Sequence, residues 1–250
     1  MRRLSVRALS FNAKMQRRRL KTLLISLWFC VLSFLVITGG GVIAEEQLLL
    51  NATFDDADLH GWKIAGDLCV APAFCGGQPF GKYWVAFSTN NDQDPITMCG
   101  SNSIAGLATV LRSPNLALNG KPSRIRVDFK IKFLTNENTD TDLGNDSLIV
   151  TILTSAGPIV VAAFDDSGAS PESKNLLIRG DQRFHESGCN PTWKYETGML
   201  QVSYYRSFRD PFRSLMAAGP IAIEFSLNNQ FDSDFDSAVI IDDIQLSVGE

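Results

Sequence analysis

The sequence predicts an all-β domain, a β-sandwich or jelly roll, and three observations carry that expectation. From Arg124 to Phe133 the chain alternates without a break: Ile125, Val127, Phe129, Ile131 and Phe133 form one face, Arg124, Arg126, Asp128, Lys130 and Lys132 the other. A period of two is the mark of a half-buried strand. Shorter patterns of the same kind recur at Tyr83–Phe87, Ser147–Leu153, Pro158–Phe164, Leu200–Tyr204, Ile221–Phe225 and Ala238–Val248, separated by turns rich in Gly, Asn, Asp, Ser and Pro. No long helical period lies between them; the one helical candidate, Pro211–Ala218, is short and stops at Gly219-Pro220. Many short strands without crossover helices belong to sandwiches and jelly rolls, not to parallel α/β sheets.

The N-terminus is read separately from the fold. Arg17, Arg18, Arg19 and Lys21 precede an apolar run from Leu23 to Ile37, and a glycine cluster then leads to Val42-Ile43-Ala44. A basic start, an apolar middle and a small-residue end make a secretory signal peptide over residues 1–44, with one sandwich domain over 45–250. The competing reading is an uncleaved anchor, since Leu23 to Ala44 is just long enough to span a bilayer. Either places the domain outside the cytoplasm, secreted or at the cell surface, and touching a membrane only through that leader.

Residues 1–44 hold eight of the 23 basic side chains and none of the 27 acidic ones, so the rest of the chain carries 15 against 27, a net of −12. That balance excludes nucleic acid as a partner, because phosphate contacts need clustered Lys and Arg. It suits a solvated surface in a calcium-containing medium. Four cysteines follow the leader, Cys69, Cys75, Cys99 and Cys189. An even number in an exported chain reads as disulfides, with Cys69–Cys75 and Cys99–Cys189 the expected pairs among three connectivities. The stretch Asp67–Gly81, with two of them and many Gly and Pro residues, is expected to be a disulfide-pinned loop.

The closing strand holds an anomaly. In Ala238-Val239-Ile240-Ile241-Asp242-Asp243-Ile244-Gln245-Leu246, strict alternation puts Asp242 on the face of Ile240, Ile244 and Leu246, pointing inward. A buried carboxylate needs hydrogen bonds, a cation or a metal ion. Calcium accepts such oxygens, and Asp55 and Asp56 near the start of the domain, with Asp242 and Asp243 near its end, form the candidate set. A second candidate is the acidic turn Asp232, Asp234 and Asp236. It opens like an EF-hand loop but has Ser237 where that loop needs glycine. For a carbohydrate ligand the candidates are Trp193, Tyr195, Tyr204 and Tyr205, whose region alternates poorly and so can leave rings exposed. Trp62 and Trp84 read as core. No nucleophile elbow, zinc-protease motif or phosphate loop occurs, so the expectation is a binding protein, not an enzyme.

Phe133-Leu134-Thr135-Asn136-Glu137, Asn145-Asp146-Ser147, Glu196-Thr197-Gly198 and the closing Asp236-Ser237-Ala238-Val239-Ile240-Ile241-Asp242-Asp243 together resemble secreted bacterial jelly-roll domains of the choice-of-anchor kind. More loosely, Asn51-Ala52-Thr53-Phe54-Asp55 with Gly61-Trp62, and the same closing strand, are similar to galactose-binding-like carbohydrate-binding modules. The resemblance implies a jelly-roll sandwich of galactose-binding-like type and a structural calcium between first and last strands. It also implies polysaccharide or cell-surface glycan as ligand. The alternatives are an adhesive surface protein with a protein partner and, more distantly, a carbohydrate-active hydrolase.

Overall fold

Alternation becomes two stacked sheets in the computed structural model. It describes residues 46–59, 61–71, 83–89, 108–118, 122–136, 146–165, 168–169, 175–188, 193–208, 219–228 and 237–249. The chain divides into Met1–Glu45 and Glu46–Glu250, and every described residue lies in the second unit. The leader, the helical candidate at 211–218 and the acidic turn with Asp232, Asp234 and Asp236 therefore lie outside the described residues.

The strands are β1 (Glu46–Ala52), β2 (Lys63–Ala65), β3 (Asp67–Ala71), β4 (Trp84–Ser88), β5 (Thr109–Arg112), β6 (Arg124–Thr135), β7 (Ser147–Thr154) and β8 (Gly157–Asp165). They continue with β9 (Gly168–Ala169), β10 (Leu176–Arg179), β11 (His185–Glu186), β12 (Tyr195–Glu196), β13 (Leu200–Ser207), β14 (Ala222–Asn228) and β15 (Ser237–Gly249). No helix occurs among the described residues. The larger sheet runs β10-β13-β6-β15-β4-β3, with β1 on β15 and the β11–β12 pair on β6; the smaller runs β2-β5-β14-β7-β8-β9. The expected all-β sandwich is the fold observed.

The core lies between the sheets. Ile125, Val127, Phe129, Ile131 and Phe133 of β6 all point into it, as their alternation requires. Phe129 meets Phe225 of β14 edge-on at 5.3 Å and 86°, and Phe164 of β8 at 6.4 Å and 81°. Edge-to-face rings of this kind tie one sheet to the other. The stretch from Asp67, expected as a loop, begins as strand β3 because Leu68 and Val70 turn to the core while Asp67 and Cys69 pair with β4 on the opposite face. Cys69 is disulfide-bonded; Cys75, Cys99 and Cys189 lie outside the described residues, as does the expected pairing.

Between β2 and β3 the chain crosses from the small sheet to the large one at Gly66, whose φ is +87°. A Cβ there would stand 2.9 Å from the Cα of Thr109, which is backbone and cannot swing aside. Gly66→Ala is expected to cost on the order of 1–3 kcal/mol of unfolding free energy, read as a lowered urea midpoint; an unchanged midpoint would show that this corner is not strained.

Candidate functional site

The outer face of the large sheet, turned away from the core, carries the polar half of each strand's alternation. It is divided in two. Over β3, β4 and the first half of β15 it is covered: Trp84, Ala86, Leu134, Ala238 and Ile240 pack with Trp193 into a second apolar cluster, with Cys69 against it. Trp193 is held there by its neighbours: the Lys194 N–H donates to Asn136 Oδ1 at 2.8 Å, and the Ser187 N–H donates to the Lys194 carbonyl at 2.8 Å.

Over β10, β13, β6, the second half of β15 and β1 the face is open. The ladders align Leu177, Ser203, Asp128, Gln245 and Asn51 in one row across five strands. The next row holds Tyr205, Arg126, Ser247 and Leu48. With strands about 4.8 Å apart, five strands span roughly 19 Å. Asp128 organises the centre: its Oδ2 accepts from Arg126 Nε at 2.6 Å, and its Oδ1 accepts from Arg126 NH2 at 3.2 Å and from Ser203 Oγ at 2.6 Å. That hydrogen bond, then the charge of Asp128, raises the Arg126 pKa further above its ordinary value. Lys130 Nζ lies 2.5 Å from Asp243 Oδ2, and Lys132 Nζ lies 3.0 Å from Glu196 Oε1. Glu196 is also fixed by Ser187 Oγ at 2.9 Å.

The aromatic candidates separate. Tyr205 is 47% exposed and stands on this open face, its hydroxyl accepting from Ser207 Oγ at 3.4 Å. Its neighbour in sequence, Tyr204, points the other way into the core, as adjacent strand residues must. Trp193 is fully buried in the second cluster and Tyr195 is half-buried on β12. Neither Trp193 nor Tyr204 therefore presents a ring face for stacking, and the expectation of exposure fails for both. Trp84 is core as expected; Trp62 is partly buried beside Phe54, with ring centroids 5.6 Å apart.

Asp242 is wholly buried, as its place in an apolar strand requires, but not where alternation put it. Two residues of β15, Asp243 and Ile244, lie between the partners of Lys130 and Asp128, and Asp243 adopts φ +51°. This bulge resets the phase. Ile240 and Asp242 share the outer face, while Ile244 and Leu246 return to the main core. The first and last strands are neighbours, Asn51 opposite Gln245 and Ala52 opposite Ile244. Asp55 and Asp56 are exposed on the turn that follows β1. Among the described residues no three His, Cys, Asp or Glu side chains come together as a metal-holding group, and Asp243 is engaged with Lys130.

Three features escaped the sequence reading. Asp67 and Asp146 are buried carboxylates, accepting from Ser88 Oγ at 2.6 Å and Thr89 Oγ1 at 2.8 Å. Only the partner strands reveal them. Asp181 sits exposed, and the Arg183 side chain and backbone, with His185, hold its carboxyl well below the usual range. Its charge-dependent contribution is thus present above the ordinary carboxylate pKa and lost only as pH falls through the lowered one.

No family model and no curated protein sequence matches the chain. Among solved structures it is similar to the K3 cleaved adhesin domain of Lys-gingipain from Porphyromonas gingivalis, at 13% identity and TM-score 0.43, covering 80% of this chain and 98% of that one. It is similar to the CBM22-1 xylan-binding domain of Xyn10C from Paenibacillus barcinonensis, at 10% identity and TM-score 0.39, covering 84% and 99%. At these levels the likeness carries no inference about this chain, whose own side chains must supply it.

Proposed function

We propose that the 46–250 unit is a non-catalytic, extracellular binding module that holds a polysaccharide or cell-surface glycan across the open outer face of its large sheet. The observation that carries this is the exposed ring of Tyr205 beside a fixed set of donors and acceptors, Arg126, Asp128 and Ser203, on a face about five strands wide. Sugar rings offer apolar faces to stack on an aromatic and hydroxyls that both donate and accept. Side chains already locked by their own hydrogen bonds lose little freedom on binding. The basic and apolar leader, and a disulfide at Cys69, support an exported, oxidising setting.

A structural calcium is a separable part of the proposal. It is supported by the pairing of β1 with β15, which sets the Asp55–Asp56 turn a few residues from the Asp242–Asp243 bulge. The test is retention of the purified, oxidised protein on a panel of immobilised and insoluble polysaccharides, in calcium and in chelator. Retention on at least one polymer is expected. Loss of it in chelator would support the metal; equal retention in both buffers would make the metal dispensable for binding. No retention on any polymer would sink the glycan reading and favour a protein partner on the same face, where Leu48 and Leu177 are exposed.

A further inference from the structure

Beyond residue 44 the chain has a net charge of −12, yet the outward face of β6 carries a row of four cations, Arg124, Arg126, Lys130 and Lys132. Taken alone, such a row is the footprint of an anionic ligand. Here Arg126, Lys130 and Lys132 are each matched by a carboxylate from a different direction: Asp128 on the same strand, Asp243 from the bulge of β15, Glu196 from β12. The bulge is what makes the second pairing. Asp243 occupies the inserted position of the ladder, at φ +51°, and its carboxylate reaches Lys130. A further carboxylate, Glu46, joins the face, its charge also acting on Arg126, while Asp242, opposite Lys130 in the ladder, is wholly buried. Arg124, opposite Gly249, and Arg179 on the edge strand β10 lie at the margins of the face. The three ion pairs thus offset most of the positive charge that β6 brings to this face of a strongly acidic domain.

Resting on the polysaccharide reading above, we propose that the polymer held here is uncharged, and that the Arg126–Asp128, Lys130–Asp243 and Lys132–Glu196 pairs set this preference. An anionic chain finds three of the cations of β6 already matched by carboxylates, and an acidic body behind them. A neutral chain meets cationic N–H groups that donate to its hydroxyl oxygens and carboxylates that accept from its hydroxyl protons. The pairs hold both sets in place.

The test is affinity electrophoresis of the purified protein through gels carrying neutral polymers (arabinoxylan, mixed-linkage β-glucan, galactomannan) and anionic ones (polygalacturonate, alginate, hyaluronan), at low and high salt. Retardation by a neutral polymer, unchanged by salt, with none by the anionic set, is expected. Asp243→Asn keeps a residue that tolerates positive φ while unmatching Lys130, and Glu196→Gln unmatches Lys132. Each is expected to lose part of the neutral-polymer retardation and to gain retardation by anionic gels that high salt abolishes. Salt-sensitive retardation of the unaltered protein by an anionic polymer would overturn the uncharged-ligand inference and leave the polysaccharide reading standing. Folded variants that gain nothing on anionic gels would overturn the role of the ion pairs. No retardation by any polymer would overturn the polysaccharide reading itself, and this inference with it.

Discussion

Phe129→Ala is expected to lower the unfolding free energy of the sandwich by about 3–5 kcal/mol, seen as a large fall in the urea midpoint with little change in slope. Phe129 sits at the centre of β6, 1% exposed, with its ring edge against Phe225 on one side and Phe164 on the other. Both partners belong to the opposite sheet, so truncation removes the contact that joins the layers and leaves a hole between them. The hole closes poorly because its walls are strands pinned on both sides: β6 lies between β15 and β13, and β14 lies between β5 and β7. Leu48→Ser is the comparison, since Leu48 is mostly exposed on an edge strand, and it should move the midpoint by at most about 0.5 kcal/mol equivalent. A Phe129→Ala loss below about 1 kcal/mol would mean that the core between the sheets repacks freely, contrary to close packing.

How far the sequence spoke for this fold depends on whether local alternation was the deciding force. Along β6 it was: every second residue from Ile125 to Phe133 faces the core, and burial rewards only that phase. Along β15 the inward assignment held for Ile244 and Leu246 and failed for Ile240 and Asp242, because one inserted residue at Asp243 shifted the register against β6. Nothing in the local pattern marks that bulge; positive φ is usually announced by glycine, and here an aspartate takes it, paired with Lys130 across the ladder. The aromatics divide. Tyr204 and Tyr205 are alike by type, but the alternation Leu200, Val202, Tyr204 against Gln201, Ser203, Tyr205 already separates them, and the ladder of β13 against β6 places the first set in the core. Trp193 was legible as an aromatic in an irregular stretch, but not as the cover of a second cluster, whose other members come from β4, β6 and β15. The cation row of β6 was visible as the polar half of a strand, whereas its neutralisation depends on Asp243 and Glu196, 113 and 64 positions away from Lys130 and Lys132.

Tyr205→Ala is expected to weaken polysaccharide retention more than tenfold while leaving the urea midpoint within about 0.5 kcal/mol equivalent. The ring is 47% exposed on the open face. Covering the roughly 100 Å² it leaves in water, at about 25 cal/mol per Å², is worth on the order of 2 kcal/mol, or more than a factor of ten in affinity. Leu177, opposite Ser203 on β10 and so diagonal to Tyr205, extends the same apolar spot, and rings or branched side chains at such diagonals are within reach of each other. Tyr205→Phe separates stacking from hydrogen bonding: it keeps the ring and removes the hydroxyl that Ser207 donates to, and should retain most of the affinity. Ser203→Ala removes one of the bonds that hold Asp128 and should cost only a few-fold, since the bidentate bond from Arg126 remains. Graded losses in the order Tyr205→Ala, Ser203→Ala, Tyr205→Phe would place the polymer on this face with stacking as its main attachment. Full retention by a folded Tyr205→Ala protein would move the ligand off the outer face of the large sheet altogether, because among the described residues no other aromatic ring on that face is exposed to stack upon.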